Sequence, residues 1–229
     1  MSGAPGTLRA ALLLARKDLL LEARSPELVA GVGLFSLAAL LALHFAVAGD
    51  GRQVSAGLAG GVLWVVLILA ATLALSRAFS AERDAGILDA LLLMPVSRSA
   101  IWLSKALALG AMLLLVEVVV VPLHWLFFYT AASGSPPLWA LVGGLALADI
   151  GLAAVGALVA ALASPARLRE VLLPVLFLPI ATPALIVGIE VTKNAADGGP
   201  VARYLALLAL YDAIFAVIAW GTTEYVLTD

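Results

Sequence analysis

The chain of 229 residues contains no cysteine. That absence excludes disulfides, thiol catalysis and cysteine-ligated metal sites, while leaving open which compartment the loops face. Charge is scarce too. Asp, Glu, Lys and Arg make up only 12% of the residues, about half the share usual in soluble domains. The cations are scattered and the net charge is −2, so no basic surface could neutralise a row of nucleic-acid phosphates. Nor does the chain contain a G-x-x-x-x-G-K-[ST] motif. Without that phosphate-cradling loop, any ATP used must be hydrolysed by a partner.

What remains is mostly hydrocarbon. Apolar residues make up 64% of the chain, and the mean hydropathy is +1.13. Several windows exceed the ~18 uncharged apolar residues that mark a membrane-spanning helix. The expectation is an all-α integral membrane protein with six transmembrane helices over Leu28–Ala48, Val54–Ser76, Ala106–Thr130, Leu138–Ala163, Val171–Thr192 and Tyr204–Val226. Ser25-Pro26-Glu27 opens the first of these with a cap, a first-turn proline and an acid, all favourable at a helix start. The triplet Ala46-Val47-Ala48 looks like a signal cleavage site. The apolar run before it is longer than a signal core of about 7–15 residues, so the helix is expected to be retained.

Cations orient the stack. Arg9, Arg16, Lys17 and Arg24 precede the first span; Arg77, Arg83, Arg98 and Lys105 lie between the second and third; Arg167 and Arg169 lie between the fourth and fifth. The other side has only Arg52, Lys193 and Arg203. Both termini are therefore expected in the cytoplasm. Residues 1–27 read as a cytoplasmic N-terminal segment, with an interfacial helix whose cations meet lipid phosphates or simply a positive flank. Residues 28–229 read as the membrane domain, with a cytoplasmic segment at 77–105.

That segment is the most distinctive part of the chain. As a helix, Ala81–Met94 places Ile87, Leu88, Leu91, Leu92 and Met94 on one side, with Glu82 and Asp89 on the other. Gly86 permits a bend, Pro95 ends the helix, and Ser97 or Ser99 can cap the next one. Such a helix is either an ordinary surface loop element or a lever on which a soluble partner pushes, with apolar knobs for a groove and a charged end for register.

The pattern Glu82-x-x-x-Gly86-x-Leu88-x-x-Leu91-Leu92-x-x-Pro95-x-x-Arg98, followed by Lys105, resembles the coupling segment of type-2 ABC exporter permeases. Two further stretches, 116-VEVVVVPLHWLFFY-129 and 170-EVLLPVLFLPIATPALIVGIEVT-192, are similar to the third and fifth spans of the haem exporter B subunit of cytochrome c maturation, the CcmB family. Asp89 stands where a glutamate is more usual. The resemblance implies a non-catalytic permease subunit with Glu82, Arg83, Gly86, Leu88, Leu91, Leu92, Pro95 and Arg98 coupling it to an ATPase. Its implied partners are a CcmA-like ATPase subunit, a second copy of the chain, CcmC-like and CcmD-like membrane subunits and a CcmE-like haem chaperone. Haem enters as a transported or neighbouring ligand, and ATP enters through the partner. The alternative is half of a type-2 ABC exporter for a lipid, polysaccharide or drug.

Polar residues inside the spans are the remaining candidates. Glu117 and Asp149 fall near mid-bilayer, where a charge costs roughly 2.5–3.5 kcal/mol on insertion scales. Each is expected to line a pathway or hinge, or to fasten helices together. Asp212 is expected to lie shallower, and Glu190 and Glu224 near the ends of their spans. His44 and His124 lie toward the outer ends, and His124, beside Trp125, reads more readily as an interfacial residue than as a haem ligand. Pro174, Pro179 and Pro183 predict a kinked fifth span, or one broken into a re-entrant piece, serving as a hinge or as a static bend. Gly57-x-x-x-Gly61, Gly143, Gly151 and Gly156 mark expected close helix packing. An intramembrane enzyme is disfavoured because the acids are dispersed, with no metal-ligand or nucleophile–base spacing. A proton-coupled secondary transporter using Glu117 and Asp149 is disfavoured because no internal repeat is visible.

The orientation is directly testable on this cysteine-free background. Single cysteines at Ser97 and Arg167 are expected to be protected from an impermeant thiol reagent in intact cells, with one at Ser135 labelled. Labelling of Ser97 from outside would invert the topology.

Overall fold

The computed structural model describes residues 6–24, 26–48, 54–84, 97–129, 135–162 and 169–226, with side chains placed for all but 21–24, 26–29, 77–84, 169–170 and 223–226. Among these residues there are seven helices: α1 Thr7–Arg24, α2 Pro26–Ala48, α3 Ala56–Asp84, α4 Arg98–Phe128, α5 Leu138–Leu162, α6 Arg169–Ala196 and α7 Val201–Val226. The last six are long and apolar enough to cross a membrane, which bears out the six-span expectation and the all-α class.

Several helices overrun their apolar windows. Helix α3 continues past Ser76 to Asp84, and α4 begins at Arg98 rather than Ala106. The added residues include Ala, Arg and Glu and no glycine or proline, so nothing stops helix propagation once the span has nucleated it. Ala81–Asp84 are therefore the end of α3 rather than the first turn of a separate short helix. Residues 85–96 lie outside the described residues. At the start of α4, Ser97 occupies the cap position but makes no side-chain capping bond, and Ser99 is buried inside the first turn. The capping expectation fails here.

Helix α5 is the axis of the bundle. It packs extensively against α4, α6 and α7, while α3 packs chiefly on α6 and α2 packs on α3 and α4. Its segment 151-GLAAVGALVA-160 is buried on every side. Glycine and alanine let backbones approach closely where lipid tails offer no hydrophobic drive for helix association. A Cβ at Gly156 would lie 2.6 Å from a Leu109 methyl, and one at Gly144 would lie 2.9 Å from a Val191 methyl. By contrast α2 buries little beyond the stripe Val32, Ser36, Leu40 and presents Leu34, Phe35 and Phe45 outward.

Two of the expected packing glycines give way to their neighbours. Gly61 and Gly143 face open space, whereas Gly57 and Gly60 meet Lys193 and Thr192 of α6, and Gly144 meets Val191. Adjacent helical residues point about 100° apart, so helix rotation, which sequence does not specify, selects one of each pair.

Helix α6 corrects a second expectation. It runs unbroken from Arg169 to Ala196 with Pro174, Pro179 and Pro183 inside it, so no re-entrant break exists. Each proline removes one ladder bond, but inside a membrane an unwound segment would leave more groups unsatisfied. Further hydrogen bonds beside the prolines tie the helix to itself and to α7. The Thr182 hydroxyl donates to the Leu178 carbonyl at 2.7 Å, and the Tyr211 hydroxyl of α7 donates to the Ile180 carbonyl at 3.0 Å. The helix ends in a turn where Gly198 takes φ +71°, a conformation that glycine adopts without strain.

The α3–α6 contact can be tested at one atom. Trp64 Nε1 donates to Thr192 Oγ1 at 2.8 Å, which fixes the indole, and a Cβ at Gly188 would lie 2.6 Å from that ring. Gly188→Ala is expected to destabilise the bundle by about 1–3 kcal/mol, read by unfolding in detergent. Gly61→Ala, which meets nothing within 4 Å, is expected to be neutral or stabilising.

Candidate functional site

The candidate site has two parts that share α4: the end where α4 emerges from segment 77–105, and the buried polar groups further along it. Of the coupling residues, Glu82 and Arg83 belong to the last turn of α3, with side chains outside the description, and Arg98 is the half-buried first residue of α4. Gly86, Leu88, Leu91, Leu92 and Pro95 lie outside the described residues.

Helix α1 is fastened to this end of α4. Ala10 and Ala11 pack against Ala100 and Leu103, and Ala15 is buried on the same side of α1. Small side chains there bring the two helix backbones close. Lys105 Nζ lies 2.8 Å from Asp18 Oδ2, with side-chain exposures of 10% and 14%, and Lys17 Nζ lies 2.7 Å from the other oxygen of Asp18. The opposite surface of α1 presents Leu8, Leu12, Leu13 and Leu20, together with Arg9 and Arg16. Sequence reasoning missed Asp18. Its only signal is an acid among four cations, which does not name Lys105 as its partner.

Further along α4, Glu117 reaches a small chamber between α3, α4 and α5. Asp149 lines the same chamber from α5, and the remaining wall is Trp64, Leu67, Leu113, Leu152 and similar apolar groups. The cavity measures about 10 Å³, roughly the room one water centre needs. Glu117 and Asp149 are 9% and 8% exposed, and Asp149 Oδ2 has no hydrogen-bond partner among the described residues. Two acids far apart in sequence are thus brought together. Position within each span predicted their depth but not their convergence.

His124 does not join them. It is 1% exposed, and its Nε2 lies 2.8 Å from the Ala59 carbonyl oxygen of α3. A carbonyl only accepts, so Nε2 carries the proton. The ring stacks on Phe128 with centroids 4.8 Å apart. The interfacial expectation is corrected: His124 is a buried link between α3 and α4, because the helix rotation that exposes Leu126 turns His124 inward. His44 sits nearby, among Phe45, Phe127 and Phe128.

Asp212 is also deeper than expected. Helix α7 starts at Val201 rather than Tyr204, which puts Asp212 near its middle. Its carboxylate is 8% exposed, has no partner among the described residues and closely approaches Gly151 across the α5–α7 contact. Glu190 fits its expected terminal place, half-buried and 3.6 Å from Lys193, and it accepts a hydrogen bond from Asn194 Nδ2 at 3.0 Å. Among the described residues, no three His, Asp or Glu side chains converge as metal ligands would.

The family model described as "CcmB protein" matches residues 9–223. Curated relatives carry the name Heme exporter protein B. That of Rhodobacter capsulatus is 34% identical over 180 residues, covering 78% of this chain and 81% of the relative. That of Pseudomonas aeruginosa is 30% identical over 215 residues, 89% of each chain. That of Paracoccus denitrificans is 32% identical over 175 residues, covering 76% and 78%.

The α1 fastening yields a prediction. Hydrogen bonds to charged groups are worth about 1.5–3 kcal/mol, so Asp18→Asn or Lys105→Met is expected to weaken α1 docking by that order. A disulfide engineered between Ala11 and Ala100 should then form more slowly in either variant. Unchanged cross-linking rates would show that the alanine contact alone holds α1.

Proposed function

This chain belongs to the CcmB family, and on that premise we propose that it is the permease subunit of an ABC-type complex which, with a separate ATPase, drives haem delivery in cytochrome c maturation. The observation that carries this reading is the family match over 9–223, together with 89% mutual coverage of a heme exporter B relative. The chain is a multi-pass, non-catalytic subunit of the bacterial cytoplasmic membrane. Its sequence has no phosphate-cradling loop, so nucleotide binds the partner.

The segment 77–105 is the lever in this reading. Glu82 and Arg83 extend α3 beyond its apolar window, Leu88, Leu91 and Leu92 are the apolar knobs, Gly86 and Pro95 set the bends, and Arg98 starts α4. Force applied between α3 and α4 would act on both helices that wall the Glu117–Asp149 chamber. The prolines of α6 would give that helix compliance without breaking it. Glu117, Asp149 and Asp212 are the buried polar groups open to a moving ligand or hinge, whereas His124 is committed to Ala59. Helix α1, with leucines and arginines on its outer surface, suits the cytoplasmic membrane interface. The remaining partners are a second copy of the chain, CcmC-like and CcmD-like subunits and a CcmE-like chaperone. Haem is the ligand handled by the complex.

Apolar knobs should matter more than charges. An exposed ion pair is worth under ~1 kcal/mol, whereas a leucine buried in a partner's groove is worth ~1.5–3 kcal/mol. The Leu88→Asp, Leu91→Asp double variant is expected to release the ATPase subunit and stop cytochrome c maturation while the spans still insert. Glu82→Ala should be milder. Copurification of the ATPase with the double variant at wild-type levels would refute the lever.

A further inference from the structure

The Glu117–Asp149 chamber is built in a way that packing alone does not require. Two carboxyl groups from different helices enter one small cavity whose other walls are hydrocarbon and the Trp64 ring. The Trp64 Nε1–H is already committed to Thr192, so the indole offers no donor. Asp149 is 92% buried by its 8% exposure, and its Oδ2 has no partner among the described residues. An unpaired carboxylate in such a place is strongly disfavoured, and a second beside it adds repulsion.

A bound species would relieve that cost. A calcium or magnesium ion needs six or so oxygen ligands. The lining residues offer no side-chain oxygen beyond the two carboxyl groups, and the cavity of about 10 Å³ admits roughly one water. A proton needs a single acceptor. We propose that Glu117 and Asp149 form a proton-binding site in which a shared proton latches α4 to α5. The O–H of one carboxyl donates to the other carboxylate, a charge-assisted bond spanning the two helices. When the chamber opens to water the proton leaves to solvent, both groups become carboxylates, and their repulsion drives the helices apart.

Among the described residues, none that lines the chamber competes for the proton. On α4 itself, Lys105 pairs with Asp18 of α1, and His124 is bonded to Ala59 of α3. From α2, His44 lies among phenylalanines; from α6, Glu190 pairs with Lys193; from α7, Asp212 abuts Gly151. None of these lines the chamber. Because the segment 77–105 includes the first turns of α4, a push on that segment and the loss of a proton would move the same helix. The latch does not depend on which ligand the complex handles.

Dicyclohexylcarbodiimide, an apolar reagent that couples to protonated carboxyl groups, reads the site directly. The full chain in lipid membranes is treated across a pH series, and adducts are located by peptide mass spectrometry. Labelling is expected at Glu117 or Asp149 at neutral pH. Removing the partner's charge should move the half-labelling pH of Glu117 down by about one unit or more in Asp149→Asn. Should that variant not fold, Glu117→Gln read at Asp149 makes the same comparison. An infrared carbonyl band of a protonated carboxyl, lost in the double Glu117→Gln, Asp149→Asn variant, needs no labelling at all. No adduct at either residue, or a half-labelling pH unchanged by removing the partner, would overturn the proposal. Saturable protection by calcium, magnesium or sodium would do so too, by making the site a metal site.

Discussion

Close backbone approach along α5 is the constraint on which the rest of the bundle depends. In lipid, helices gain nothing by hiding leucine from hydrocarbon, so association must come from dispersion and hydrogen bonds at short range. The ten-residue segment 151–160, rich in Gly and Ala, supplies that range. Leu109 of α4, Val191 of α6 and Tyr211 of α7 fill the positions where α5 has no side chain. A bulkier α5 would push three neighbours outward at once and open the chamber that Glu117 and Asp149 line.

Polar links then help to set the rotation of α3, α4, α6 and α7. Trp64 holds α3 to α6 through Thr192, His124 holds α4 to α3 through the Ala59 carbonyl, and Tyr211 holds α7 to α6 through the Ile180 carbonyl. Two of the three use a main-chain carbonyl as acceptor, which ties them to helix geometry rather than to a second side chain. Thr192 also donates to the Gly188 carbonyl of its own helix at 2.8 Å, so its lone pair is oriented toward the indole. The proposed lever would need both features: a rigid core that transmits a push, and a weak point that yields. The walls around Asp149 are the candidate weak point, since its Oδ2 has none of these links.

Much of the fold was legible in the chain. Long apolar windows give six spans because the bilayer forbids unsatisfied backbone, and the family was legible in the spans about Glu117 and Pro179. Helix ends were less legible, because α3 and α4 run on through charged residues that propagate a helix as well as apolar ones do. The prolines of α6 misled in one respect. They signal lost ladder bonds, but whether the helix breaks depends on packing that local sequence does not show, such as the hydrogen bond from Tyr211 of α7 to the Ile180 carbonyl.

By itself the sequence determined that the protein lives in the bilayer and how many times it crosses. Those properties follow from residue type, and hydropathy and spacing need no coordinates. Only the tertiary structure decided which of two adjacent glycines, Gly60 or Gly61, touches a neighbour, and which acid meets which. It also decided that His124 points inward and that Asp18 finds Lys105. These depend on helix rotation and on pairings between distant residues, 87 positions apart for Asp18 and Lys105. A span that is hydrophobic all round carries almost no periodic signal for its own orientation. Side-chain contact across the bundle sets that angle, and with it the place where Glu117 faces Asp149.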